Sequence, residues 1–202
     1  MIWLPSWKHG GMTGTTGVRR WMAINSSGGT GEAGGAYRVA LYVRECLDSL
    51  ELNDGDDRVE CLWVRIRGKA NKADIVVGVC YRPRNQDDEA DELFYKQLGE
   101  ASRSPALVLV GDFNLPDVCW KYNTAERKQS RRFLECVAED NFLAQLGSEP
   151  TREGAPLGLW FTNREGLVSH VMVGGRLGQS DHEMIEFLIP GERRGGSAEL
   201  PP

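Results

Sequence analysis

Asp112 and Asn114 stand two residues apart at the end of an apolar run, in "ALVLVGDFNLPDVCW", residues 106–120. A carboxylate placed there can hold a hydroxide-generating water or a divalent ion, and a neighbouring amide can orient it. Two further places have the same character. Tyr81 closes the apolar run "IVVGVCY", and Asp181 and His182 adjoin in "GQSDHEMIEFLI", directly before an alternating stretch. Singly, each has an ordinary explanation, since Asp and Ser favour turns and a tyrosine at a strand end packs at the core rim with its hydroxyl satisfied. Together, three strand ends deliver a phenol, a carboxylate with an amide, and a carboxylate with an imidazole. A histidine can stabilise a phosphate oxyanion and a tyrosine hydroxyl can support it, so the set suits hydrolysis of a phosphodiester.

Groups of this kind need strands behind them, and the pattern supplies candidates. "AYRVALYVREC" alternates, and "RVECLWVRIRG" puts Leu62, Val64 and Ile66 on one face with Cys61, Trp63 and Arg65 on the other. "ADIVVGVCYRP" reads as a more fully buried strand ended by Pro83, and "ALVLVGD" as another. Shorter strands are expected at "LGLWFTN", "LVSHVMVG" and "HEMIEFLI". "DDEADELFYKQLGEAS" places Leu93, Phe94 and Leu98 on one helical stripe, with acids in its first turn favouring the dipole. "TAERKQSRRFLECVAEDN" predicts a second helix, capped by Thr124 and packed through Phe133, Leu134 and Val137. Strands mixed with two helices, some joined as hairpins, imply a mixed α/β sandwich rather than a doubly wound parallel sheet.

The ends differ from this centre. Residues 1–33 are rich in Gly, Ser and Thr without sustained periodicity and are expected to be loop or disorder, residues 34–190 form the domain, and 191–202 a flexible tail. Gly29, Gly31 and Gly34 spell G-x-G-x-x-G, but a strand-like run follows where a helix should open, so no dinucleotide site is expected. His9 and His170 read as ordinary surface or strand residues.

At 202 residues the chain suits one domain, and its net charge of −5 gives no overall field that draws in nucleic acid, although a local cleft or cation can. Its five cysteines (Cys46, Cys61, Cys80, Cys119, Cys136) are scattered without a C-x-x-C pair. Cys61 and Cys80 read as small core residues, a disulfide framework or zinc site is not expected, and a reducing compartment, nuclear or cytoplasmic, fits. No apolar run approaches the roughly 20 residues that span a bilayer, and the opening "MIWLPSWKHGG" lacks the pattern of a signal peptide.

"GVCYRPRNQ", "LVLVGDFNLPDVCW", "LWFTNREGL" and "LGQSDHEMIEF" resemble the endonuclease/exonuclease/phosphatase superfamily, and within it the endonuclease domain of LINE-type non-LTR retrotransposons, over about residues 34–190. The resemblance implies a four-layered α/β sandwich of two sheets flanked by helices, and a magnesium-dependent nick in DNA that primes reverse transcription. It implies that Asp112 positions and activates the attacking water, Asn114 orients water and phosphate, and His182 stabilises the phosphorane. It implies too that Tyr81 contacts the scissile phosphate and that Asp181, with Asp112, lies at the Mg²⁺.

Three departures bear on activity. Family members open with a strand carrying an Asn and a strand ending in a metal-binding Glu, and neither Asn25 nor Glu32 stands in that context. Gly158 occupies the place of an Asp that pairs with the histidine, and the downstream reverse transcriptase is not in the chain. The expectation is therefore a truncated, degenerate copy, incomplete on its N-terminal side, with impaired catalysis and weak or absent Mg²⁺ binding. The alternative is a non-catalytic fold remnant with at most a binding role.

Overall fold

The computed structural model describes residues 18–25, 37–44, 46–52, 58–68, 72–146, 159–176 and 183–189. In chain order these form β1 (Val18–Asn25), β2 (Tyr37–Arg44), β3 (Ser49–Glu51), β4 (Cys61–Ile66), β5 (Ile75–Tyr81), α1 (Asp88–Ala101) and β6 (Leu107–Asp112). There follow β7 (Val118–Cys119), β8 (Thr124–Ala125), α2 (Lys128–Leu134) with a π-helical continuation over Glu135–Asp140, β9 (Ala144–Gln145), β10 (Leu159–Thr162), β11 (Ser169–Arg176) and β12 (Glu183–Leu188).

The centre is a six-stranded sheet in the order β3-β4-β5-β6-β10-β9. Its one parallel pair is β5 with β6, and α1 is the crossover that parallel neighbours require. Both strands are buried on both faces, which is why they read as continuous apolar runs. On one face Leu62, Val64, Val77, Val79, Val108 and Val110 meet Leu41 and Val43 of β2 and Phe187 of β12. On the other, Trp63, Cys80, Leu107 and Leu109 meet Phe94, Tyr95 and Leu98 of α1 and Phe133 of α2. The expected mixed α/β sandwich is the fold found, and its described residues build three layers: helices, the large sheet, and the antiparallel ribbons β1-β2 and β11-β12. No helix among the described residues is long and apolar enough to cross a membrane.

Three local expectations are corrected. Within the segment expected to lack strands, Val18–Asn25 pairs antiparallel with β2, with irregular register at both ends. The partner strand supplies its hydrogen bonds, so a strand forms where the local pattern is too broken to announce one. Thr124 lies in β8 and does not cap α2; instead the Arg127 N–H at the helix start donates to Asp117 Oδ2 (2.8 Å). Cys61 and Cys80 are joined as a disulfide rather than being two independent core residues. They sit opposite each other on β4 and β5, one step from the pair in which the Tyr81 N–H donates to the Glu60 carbonyl. That makes theirs a non-hydrogen-bonded pair, the position where Cα atoms come closest, here 4.1 Å.

Candidate functional site

Parallel pairing puts Tyr81 beside Asp112 at the carboxyl ends of β5 and β6. The ladder runs one step further, the Arg82 N–H donating to the Asp112 carbonyl (2.8 Å). In open sheets the crevice beyond such strand ends is where ligands bind. Gly111 allows this closeness, because a Cβ there would be driven into the backbone carbonyl of Cys80. Gly78, one turn of the pleat earlier, lies under the Trp63 indole for the same kind of reason.

The residues of "DFN" then separate by role. Phe113 turns into the core, 1% exposed, with its ring centroid 4.7 Å from Phe133, 5.9 Å from Phe94 and 6.1 Å from Phe161. Asp112 and Asn114 are left half-buried at the sheet's end. The Asn114 N–H donates to Asp112 Oδ1 (3.1 Å), closing a side-chain turn, and Asn114 takes a positive φ of 48°, which asparagine tolerates better than bulkier residues. Its Nδ2 donates to the Arg82 carbonyl (2.9 Å) and its Oδ1 accepts from Arg84 Nε (3.4 Å). Both ends of the amide are thereby oriented.

Behind Arg82 lies a buried ion pair that the periodicity reading missed. Its guanidinium makes two 2.8 Å hydrogen bonds to the two oxygens of Asp91, side chains 6% and 5% exposed, and Gln86 Nε2 donates to the same carboxylate (2.8 Å). Asp91 is one of the first-turn acids of α1 that the sequence reading assigned only to the helix dipole. The available signal was its spacing: 91, 94, 95 and 98 form one stripe, and the other three are Phe94, Tyr95 and Leu98, all buried. An acid on an apolar stripe needs a buried cation. Asp87 serves the helix differently, as an N-cap accepting from the Ala90 N–H (2.8 Å).

The structure brings Tyr81, Asp112 and Asn114 together. Asp181 and His182, immediately before β12, lie outside the described residues, as do Gly158 and Glu32; Asn25 ends β1. Among the described residues no cluster of three His, Cys, Asp or Glu side chains is placed to hold a metal ion.

A model described as endonuclease-reverse transcriptase matches residues 75–186, from the start of β5 into β12. The endonuclease domain of TRAS1, a telomere-specific non-LTR retrotransposon, shares the fold at TM-score 0.61 and 19% identity, over 86% of this chain and 81% of that one. An endonuclease/exonuclease/phosphatase from Bacteroides vulgatus is 14% identical at TM-score 0.49, over 85% and 76% of the two chains. A mannosyl-6-phosphatase of Bacteroides thetaiotaomicron is 14% identical at TM-score 0.46, over 86% and 78%. No curated protein matches.

Proposed function

Since the chain belongs to the endonuclease-reverse transcriptase family of the endonuclease/exonuclease/phosphatase superfamily, we propose that it is a retrotransposon-derived endonuclease domain with impaired catalysis. Its inherited chemistry is hydrolysis of DNA phosphodiester bonds. The observation that carries this reading is the registered pair Tyr81 and Asp112, with Asn114 locked two residues on, at adjacent parallel strand ends.

In this reading Asp112 takes the proton of the attacking water, Asn114 and the Tyr81 hydroxyl orient the phosphate, and His182 stabilises the charge that builds on its oxygens. Magnesium takes oxygen ligands, typically one or two carboxylates completed by waters and phosphate. The described strand ends bring Asp112, one of whose oxygens already accepts from Asn114, and Asp181 lies outside them. Asp112 and Asp181 are the carboxylates this reading assigns to the ion. The proposed impairment rests on two features of the sequence. Residues 1–33 hold no Glu in the family's context, and Gly158 leaves His182 without the Asp that would orient it, a loss of a type that costs about 10–100-fold. A nuclear or cytoplasmic location belongs to the same proposal.

The test is nicking of supercoiled plasmid with Mg²⁺. The chain is expected to nick no faster than a control carrying Asp112→Ala and His182→Ala, and Gly158→Asp alone should restore nothing, because groups acting on one transition state fail together. Nicking by the unaltered chain that the double variant abolishes would refute the impairment and leave the site assignment standing.

A further inference from the structure

Past Asn114 the chain does something that packing does not explain. The hairpin β7–β8 begins at Val118, four residues on, a separation that spans at most about 14 Å. Trp120 turns inward, its ring centroid 5.8 Å from Phe161 and 6.3 Å from Phe133. Asp117 ties the base of the hairpin to α2, accepting from the Ser130 hydroxyl (2.6 Å) and the Arg127 N–H (2.8 Å). The hairpin is thus fastened at both ends. Its tip nevertheless leaves Tyr122 67% exposed, with Lys121 Nζ 5.1 Å from the ring centroid.

The charge here opposes that of the chain. Residues 118–131 hold Lys121, Arg127, Lys128 and Arg131 against Glu126, in a molecule of net charge −5. All four cations are exposed, and basic residues at the opening of a helix work against its dipole. Arg132, by contrast, is committed to Glu92 and Asp140. Gln129 Nε2 donates to Asp88 Oδ1 (2.8 Å), which joins the start of α2 to the start of α1. Only Arg82–Asp87 separate α1 from Tyr81, so the cationic surface and the strand ends share one end of the sheet.

We propose that the hairpin 118–125 and the exposed cations after it form a DNA-docking surface beside the strand-end site. Lys121, Arg127 and Lys128 take backbone phosphates, and Tyr122 stacks on an unpaired base near the bound phosphate. An exposed aromatic beside cations, on a hairpin whose base is fastened, matches the way single-stranded nucleic acid is held, where each stacked base adds strongly to affinity and the phosphates make binding salt-dependent. It rests on the endonuclease reading above in taking DNA as the ligand.

Fluorescence anisotropy with a labelled duplex bearing a single-stranded overhang, at several salt concentrations, tests it on the full chain. Tyr122→Ala is expected to weaken overhang binding about 10-fold or more while leaving blunt-duplex binding little changed. Lys121→Gln with Lys128→Gln should weaken both and flatten the slope of log affinity against log salt by roughly 1.5–2. Circular dichroism melts of these surface variants should match the parent. Binding that neither variant alters would overturn this surface while leaving the endonuclease reading intact, and no binding to either DNA at low salt would overturn both. Hairpin-dependent binding in a chain that never nicks supports the surface whatever becomes of catalysis.

Discussion

Replacing Asp91 with asparagine tests what holds the site loop in place. Asp91 accepts both guanidinium hydrogen bonds of Arg82 at 2.8 Å, in a pair whose side chains are only 6% and 5% exposed. The amide keeps the volume and can still accept from Gln86, so the loss is that of a charge facing a charge. It leaves Arg82 buried and uncompensated, a condition that costs about 3–5 kcal/mol. For a chain of this size each kcal/mol moves the melting temperature by about 2–4 °C, so Asp91→Asn should melt roughly 6–20 °C below the parent. The damage should reach the site as well. The Arg82 carbonyl accepts from Asn114 Nδ2 (2.9 Å), and a guanidinium drawn toward water pulls that carbonyl with it.

Because buried ion pairs are weak net stabilisers, removing both partners should do far less harm than removing one. Arg82→Met with Asp91→Leu is expected to recover most of the lost stability, giving a coupling energy of about 2 kcal/mol or more in a double-mutant cycle. Thermal and urea melts of the parent, Arg82→Met, Asp91→Leu and the double variant complete that cycle. Asp91→Asn melting within about 2 °C of the parent would show that the pair is not the clamp described.

Two further outcomes concern the strand ends and the helix behind them. Gly111→Ala should force β5 and β6 apart at the site, since its Cβ meets the Cys80 carbonyl; a loss of about 1–3 kcal/mol in a urea melt is expected, and an unchanged midpoint would mean that the glycine is not there for spacing. Asp117→Ala should cost about 1 kcal/mol, the usual worth of a carboxylate at a helix start. Although partial burial raises the Asp117 carboxyl, hydrogen bonds from Ser130 and the Arg127 N–H outweigh it and hold the group below its ordinary range. A depressed folded-state pKa contributes stability that is present above the ordinary value of about 4 and lost as pH falls through the lowered one. The gap between parent and variant melts should therefore narrow in acid, and a gap that widened below pH 4 would refute this account of Asp117.

What the sequence made legible follows from how each feature is held. β5 and β6 are buried on both faces, so an unbroken apolar run was enough to find them and to find the residues at their ends. The alternation through "GDFN" held its meaning as well, Phe113 going inward and Asp112 and Asn114 staying at the end of the sheet. Features made by long-range pairing were hidden. β1 depends on β2 across eleven residues of intervening chain, β7 and β8 are two residues each, and the Cys61–Cys80 disulfide exists because two strands fall into one register. The Arg82–Asp91 pair was half visible, as an acid on an apolar stripe whose partner no local pattern could name. These hidden features surround the legible ones for a physical reason. A strand end can project a carboxylate and an amide only if the chain beyond it is turned away and fastened elsewhere. Here the Phe113 cluster, the Arg82–Asp91 clamp and the Asp117 tie do that fastening, all through residues distant in sequence. The residues placed to act were readable from their own strands, while those that hold them still were written in contacts that only the folded chain creates.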